Sequence, residues 1–160
     1  MGREIPAERG PTGPARRAKR GSEVSERLAP SMTPDTQFFW DGVKDNRLLI
    51  QRCDGCHRLR HPPRPMCPAC NSLEWTTVEA SGRGTVFSFV LPRHPQYPWF
   101  EPDYIVGLVE LEEGVRLVTN LVDVAPEAVR IGMAVTVRFD EFDGGLVLPM
   151  FMPVPTKESA

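Results

Sequence analysis

The stretch CDGCHRLRHPPRPMCPAC, Cys53 to Cys70, contains every cysteine of the 160-residue chain. Two Cys-x-x-Cys pairs face each other across ten residues that are mostly basic or proline. Two residues between ligands let the backbone wrap one side of a metal, and two such turns supply four thiolates. The spacing therefore predicts a closed structural zinc site whose ligands are Cys53, Cys56, Cys67 and Cys70.

Other uses of the four cysteines fit the sequence less well. A redox Cys-x-x-Cys motif usually comes singly on a thioredoxin-like βαβ unit, and this sequence predicts no such unit. Iron–sulfur ligation is an alternative, although its usual spacings are tighter runs. Four cysteine ligands leave no open position for water or substrate, so a catalytic zinc is not expected. His57 and His61 are spare ligands that a full set of cysteines does not require.

Composition indicates a globular, cytoplasmic protein. The chain is 41% hydrophobic and 25% charged, with a formal net charge of −2. It has no apolar run near the roughly 18 residues of a membrane span, and its first residues lack the apolar core of a signal peptide. A cytoplasmic location in turn disfavours disulfides.

Residues 1–30 are expected to be a disordered linker or tail. They carry seven Lys/Arg and four Asp/Glu but only two large aliphatic side chains, which is too little apolar surface to offset the entropy of ordering. The basic run at 16–20 has a second interpretation, a nucleic-acid arm or localisation signal, which we consider weaker. Residues 153–160 are expected to form a C-terminal tail.

Residues 31–80 are expected to form an N-terminal helix and the zinc ribbon. Thr33 as N-cap and Pro34 at the first helical position predict a short helix through residue 46. This helix carries Phe38, Phe39 and Trp40 in succession. A helix this short cannot bury all three, so we expect one to face the core and another to face a partner.

Residues 81–152 are expected to fold as a five-stranded OB-fold barrel. Five runs rich in Val, Phe, Leu and Thr are punctuated by Gly or Pro, at 84–91, 104–112, 115–124, 133–142 and 146–152. One or two helical turns are predicted over 126–132, between the third and fourth runs. This order fits an OB-fold, with an SH3-like barrel as the main rival.

Charge separates the two halves of the chain. Residues 44–70 contain six Lys/Arg and two Asp/Glu (+4), whereas residues 81–160 contain six Lys/Arg and eleven Asp/Glu (−5). A zinc ribbon beside an OB-fold is a common nucleic-acid-binding arrangement, but such a barrel needs a basic groove. Nucleic-acid binding is therefore the alternative function and not the first. No nucleophile motif, P-loop or dinucleotide fingerprint occurs.

The loop LPRHPQYPWFEPDY, residues 91–104, is rich in proline and places Tyr97, Trp99 and Phe100 between its prolines. Two interpretations stay open. The aromatic rings either fold back to cap the barrel, or form a preorganised binding loop with little ordering cost on docking.

Taken in order, several segments resemble one known family: FFWDGVKDNRLLIQRCDGCHRLRHPPRPMCPAC, then GTVFSFV, then the proline-aromatic loop, then YIVGLVELEEGVRLVTNLV and VRIGMAVTVRF. The chain is similar over about residues 34–152 to the domain-of-unknown-function family thirty-five (DUF35), which joins a rubredoxin-like zinc ribbon to an OB-fold and is described as acyl-CoA-associated. Some members lack the zinc ligands, but this chain keeps all four.

The resemblance implies a function that composition does not show. Members are accessory subunits of thiolase-superfamily enzymes, so we expect a non-catalytic scaffold that docks to a thiolase-like catalytic subunit, with two copies of each. In steroid-degrading actinobacteria a similar domain follows a MaoC-like hydratase domain. Its partner there is an aldolase (a lyase) that cleaves a β-hydroxyacyl-CoA side chain during cholesterol catabolism. Residues 1–30 resemble the linker to such a domain.

The same resemblance leads to candidate contact residues. The helix aromatics Phe38, Phe39 and Trp40 and the loop aromatics Tyr97, Trp99 and Phe100 are candidates for docking. Arg58, Arg60 and Arg64 are candidates for partner contact. Arginine also pairs bidentately with phosphate, so these three are further candidates for contact with CoA, an interpretation we consider weaker than a solvated or partner-facing loop.

Overall fold

The computed structural model describes the backbone of residues 17–18 and all of residues 27–154. Within these ranges it contains one α-helix, α1 (Gln37–Lys44), and two single-turn 3₁₀ helices, Pro126–Ala128 and Asp143–Gly145. The strands are β1 (Arg17–Ala18), β2 (Leu49–Cys53), β3 (Leu59–Arg60), β4 (Trp75–Glu79), β5 (Arg83–Val90), β6 (Ile105–Leu111), β7 (Arg116–Leu121), β8 (Ala134–Phe142) and β9 (Leu146–Pro153). The mainly β prediction is therefore confirmed.

The ribbon is a three-stranded antiparallel sheet in the order β3-β2-β4. Strand β2 is central, with Gln51 opposite Arg60 of β3 and Thr77 of β4. Helix α1 lies beside this sheet and buries Phe39 and Val43 in the core that also contains β2. The ribbon and the barrel therefore share one continuous hydrophobic core.

The barrel closes on itself. Strands β5, β6 and β7 form an antiparallel meander, β7 pairs in parallel with β9 at Leu121 and Phe151, and β8 pairs with both β9 and β5. Side chains alternate along β6, with Ile105, Val109 and Leu111 buried. The first barrel strand, β5, pairs with the fourth, β8, and the third, β7, pairs in parallel with the fifth, β9, so this closed ring confirms the OB-fold prediction.

A buried ion pair lies inside the barrel wall. Arg138 of β8 donates from Nε to Oδ1 of Asp140 at 2.6 Å and from Nη2 to Oδ2 at 2.8 Å. Asp140 is fully buried and Arg138 is 8% exposed, and Arg138 also bonds Asp123 at the rim. The bidentate geometry satisfies both carboxylate oxygens of Asp140, which makes burial of the pair tolerable.

Two local predictions differ from the structure. The helix begins at Gln37 and not at Pro34, because the carbonyl of Thr33 accepts from the amides of Thr36 and Gln37 and forms a preceding turn. The segment 126–132 forms one 3₁₀ turn and then extends, since Val129 has extended backbone angles. The disorder predicted for residues 1–26 and the tail predicted for residues 155–160 fall on residues whose side chains the structure does not describe. Within residues 27–154, no helix is long and apolar enough to cross a membrane.

Candidate metal centre and binding surfaces

The four cysteines converge at one end of the ribbon. Their sulfur atoms all lie within 4.8 Å of one another, with Cys53 and Cys70 at 3.5 Å and Cys56 and Cys67 at 3.6 Å. A zinc ion with bonds of about 2.3 Å in a tetrahedron requires sulfur atoms about 3.8 Å apart. The separations exceed the roughly 2.05 Å of a disulfide, and the thiols are free. The residues present thus fit a four-thiolate zinc site.

The pKa values of the four thiols also indicate a site for a cation. The backbone N–H of Ala69 points at the sulfur of Cys67 and lowers its pKa to about 6, and the N–H of Cys56 lowers the pKa of Cys53. At Cys70 the N–H of Ser72 acts in the same direction, but the neighbouring sulfurs outweigh it and raise the pKa to about 12. Four thiolates this close repel one another unless a divalent ion balances them, so metal binding releases protons.

The segment between the two cysteine pairs is pinned to the ribbon. We call residues 57–65 the basic loop. The buried side chain of Gln51 accepts from the backbone N–H of Arg64 and donates to its carbonyl, both at 3.0 Å. Arg58 and Arg64 are exposed, whereas Arg60 is only 6% exposed. The three candidate arginines therefore do not form one surface, because Arg60 faces inward.

The basic loop separates two clefts. An apolar cavity of about 310 Å³ lies on one side, and its walls come from α1, β7 and β9. A cleft of about 600 Å³ lies on the other side, between the loop and the β6–β7 hairpin. His61 borders both, and its burial lowers its pKa to about 4, which keeps the imidazole neutral near pH 7.

The helix aromatics divide between the core and its edge. Phe39 is buried, while Phe38 and Trp40 are half-buried and pack against the same core. Phe38 lies 4.9 Å from the ring of Trp75, and Trp40 meets Phe39 edge-on at 5.0 Å. Phe39 is thus a core residue. Phe38 and Trp40 stay candidates for contact with a partner, through the parts of their rings that are exposed.

The proline-aromatic loop forms its own stacked layer. Tyr97 and Trp99 stack at 5.0 Å, and Phe100 and Tyr104 stack at 4.2 Å. The guanidinium of Arg27 lies 4.9 Å from the centre of the Phe100 ring. None of Tyr97, Trp99 and Phe100 joins the described hydrophobic core. The rings therefore pack on one another, with Tyr97 exposed and Trp99 and Phe100 half-buried, and both interpretations of the loop stay open.

Sequence reasoning missed two features of this region. Arg116 of β7 reaches the 600 Å³ cleft from the barrel side, and Gln51 holds the basic loop. The role of Gln51 could have been predicted, since a single amide side chain inside the apolar strand LLIQRC indicates a buried hydrogen-bond partner. The sequence has no pattern that places Arg116 in the cleft, because its position there depends on how the ribbon packs against the barrel.

Family profiles match most of the described chain. The profile described as "ChsH2, rubredoxin-like zinc ribbon domain" matches residues 40–76. The profile described as "ChsH2, C-terminal OB-fold domain" matches residues 77–140. The two matches are consecutive and cover the metal cluster, the barrel strands β5, β6 and β7, and most of β8.

Curated relatives have acyl-CoA-related and scaffold names. A "Probable enoyl-CoA hydratase alpha subunit" of Thermomonospora curvata is 51% identical over 83% of this chain and 42% of its own length. A "3-oxo-4,17-pregnadiene-20-carboxyl-CoA hydratase alpha subunit" of Mycobacterium tuberculosis is 47% identical over 72% of this chain and 37% of its own length. The chain thus spans about two fifths of these relatives. A "DUF35 domain-containing scaffold protein" of Pyrococcus furiosus is 36% identical over 69% of this chain and 85% of its own length.

Two further matches name assemblies. A "Benzoylsuccinyl-CoA thiolase subunit BbsA" of Thauera aromatica is 31% identical over 62% of this chain and 74% of its own length. A chain in the solved structure "Ltp2-ChsH2(DUF35) aldolase" is 51% identical, with a TM-score of 0.75, and the match covers 78% of this chain and 98% of that one.

Proposed function

The chain belongs to the DUF35 family of zinc-ribbon and OB-fold proteins, of the ChsH2 type, and from this premise we propose that it is an accessory subunit of a thiolase-superfamily, CoA-dependent enzyme. One observation carries the proposal: 51% identity over 98% of the ChsH2(DUF35) chain in a complex with Ltp2. A match along nearly the whole of that chain includes whichever surface meets its partner.

The catalytic work is assigned to the partner. Cysteine thiolates are the strongest nucleophiles available to the chain, and all four cysteines lie in one cluster suited to a closed metal site. Zinc, when bound, supplies structural cross-linking between the two Cys-x-x-Cys turns. The chain's own residues then hold the basic loop and present surfaces, while the reacting groups belong to the thiolase-like subunit.

The finer form of the proposal is a retro-aldol cleavage of a β-hydroxyacyl-CoA steroid side chain. The names of the Ltp2-ChsH2(DUF35) aldolase and of the pregnadiene-carboxyl-CoA hydratase support this substrate class. A hetero-oligomer with two copies of each subunit, a MaoC-like hydratase domain as an associated unit and a cytoplasmic location are parts of the same proposal. Contact of CoA with the basic loop also stays a proposal.

The proline-aromatic loop is the docking surface that we favour. Its stacked rings and prolines leave few rotamers to freeze on binding, which lowers the entropic cost of docking. Tyr97 is 42% exposed, and aromatic side chains of this kind dominate the binding energy of many interfaces. Truncation of Trp99 also removes the stacking support of Tyr97, so a large effect is expected there.

Reconstitution tests the proposed function. A thiolase-fold protein that we expect to be encoded beside this chain is assayed for cleavage of a β-hydroxyacyl-CoA steroid, alone and with the zinc-loaded chain. We expect activity only in the mixture, and a loss of at least about tenfold in apparent affinity with Trp99→Ala. Ile131→Ala is the matched control, because Ile131 is 72% exposed and lies elsewhere on the barrel. Turnover of the substrate by this chain alone would overturn the assignment.

The same preparation tests the nucleic-acid alternative. The net charge of −5 over residues 81–160 predicts no retardation of single-stranded oligonucleotides even at low salt. A retarded band that disappears steeply with added salt would favour the alternative.

A further inference from the structure

The 600 Å³ cleft contains a buried cation that the proposed docking role does not use. Arg60 is 6% exposed, and its Nε, Nη1 and Nη2 atoms are all buried. None of these nitrogens has a hydrogen-bond partner among the described residues. A guanidinium in this state has lost its hydration without gaining a carboxylate, which is strongly unfavourable. Such a group requires a ligand, an ion or ordered water to offset its burial.

The cleft next to Arg60 gathers further positive charge. Arg64 of the basic loop and Arg116 of β7 line it together with Arg60, and Glu110 is the carboxylate among its lining residues. Glu110 pairs with Arg116 at 3.1 Å. Three arginines against one carboxylate leave the cleft with an excess of positive charge.

One of the two exposed arginine side chains of the cleft is held in place. Arg116 lies over the Phe87 ring at 3.4 Å while it bonds Glu110, whereas Gln51 fixes the backbone of Arg64 and leaves its guanidinium free to turn towards a ligand. A donor fixed as Arg116 is loses little entropy when an anion binds. The buried charge of Arg60 acts through a wall of low dielectric, which focuses positive potential into the cleft.

We propose that this cleft binds a phosphate-class oxyanion, with Arg64 and Arg116 as hydrogen-bond donors and Arg60 as the buried counter-charge. The cleft is open to solvent and has arginines on two walls, Arg64 on the basic loop and Arg116 on β7, so a small anionic group between them meets positive charge from both. The guanidinium fork matches the oxygen geometry of phosphate. The group comes either from free phosphate or from a nucleotide such as CoA, which carries a diphosphate and a ribose phosphate. The second source deepens the proposed function and rests on it.

Binding to the isolated zinc-loaded chain tests this proposal without any partner, so its failure leaves the docking role untouched. Equilibrium dialysis measures the affinity for inorganic phosphate and for adenosine 3′,5′-bisphosphate at constant ionic strength. We expect Arg64→Gln and Arg116→Gln each to weaken binding by about tenfold. Arg58→Gln is the matched control, since Arg58 is exposed on the same loop outside the cleft lining, and it is expected to stay within about twofold of wild type.

Arg60→Met gives a second, independent readout. Because methionine removes an unpaired buried charge and keeps much of the volume, we expect a higher melting temperature than wild type without phosphate, and no phosphate-dependent rise. Tighter binding of the bisphosphate than of phosphate identifies a nucleotide source, and equal binding identifies free phosphate. The proposal is overturned if neither probe binds, if Arg58→Gln weakens binding as much as Arg64→Gln, or if Arg60→Met melts lower with its phosphate response intact.

Discussion

We expect His61 to make the free energy of unfolding fall in mild acid. Burial lowers the pKa of this side chain to about 4 from an ordinary value of 6.5, and its Nδ1 is buried without a described partner. On the side of the 310 Å³ cavity, the residues of α1, β7 and β9 that face His61 include no Asp, Glu, Lys or Arg. On the side of the 600 Å³ cleft, the charged residues are Arg60, Arg64, Arg116 and Glu110. No described carboxylate bonds the imidazole to favour its protonation.

The size of the effect follows from the two pKa values. The unfolded chain binds more protons than the folded chain between pH 6.5 and 4, so stability is complete above this window and is lost as the pH falls through it. The full effect is about 3 kcal/mol, and about 2 kcal/mol is already lost at pH 5.

The assay compares wild type with His61→Phe. Phenylalanine cannot titrate and keeps a ring beside Phe39, whose centre lies 5.1 Å from that of His61. Urea unfolding at pH 8 and pH 5 gives the free energy of unfolding of each protein, and subtraction cancels zinc release because both keep the four cysteines. We expect wild type to lose about 2 kcal/mol more than His61→Phe. His94→Phe, at an exposed histidine, should follow wild type. Equal losses in wild type and His61→Phe would refute the account of His61.

Three further changes test the metal site and the barrel. Cys70→Ser should release the metal and lower the melting temperature, and elemental analysis of wild type should find one zinc per chain; iron, or two disulfides, would contradict the assignment. Gly84→Ala should lower the free energy of unfolding by about 2–3 kcal/mol because the new methyl group collides with the carbonyl of Glu110. The control Gly114→Ala has no atom within 4 Å of its new methyl group and should cost only about 1 kcal/mol, which comes from its positive φ of 77°. Arg138→Met should cost about 3–5 kcal/mol by leaving Asp140 buried and unpaired, and a second change, Asp140→Leu, should recover most of it in urea titrations; no recovery would show that the pair does not act as a unit.

The metal cluster and the barrel strands were predictable from the sequence. Cys-x-x-Cys spacing confines each ligand pair to one turn, so the cluster depends on local geometry. The five apolar runs are punctuated at the positions where the strands end, as Gly114 shows with its turn between β6 and β7. Local signals of this kind survive tertiary packing.

The clefts were not predictable, since they arise from contacts between distant segments. Arg60 and Arg58 look alike in the sequence, but the pairing of Arg60 with Gln51 across β2 and β3 turns one inward. Arg116 is more than fifty residues away and joins the cleft only because the β6–β7 hairpin packs against the basic loop. Side chains brought together in this way leave no periodic signal.

Direct association tests the central claim of an accessory docking subunit. The zinc-loaded chain is mixed at micromolar concentration with the thiolase-fold protein that we expect to be encoded beside it, and separately with the Ltp2 protein. Each mixture is analysed by size-exclusion chromatography with light scattering. We expect one peak containing both proteins in equal numbers; Trp99→Ala should weaken this association and Ile131→Ala should not. Separate elution of this chain as a monomer from both partners would contradict it.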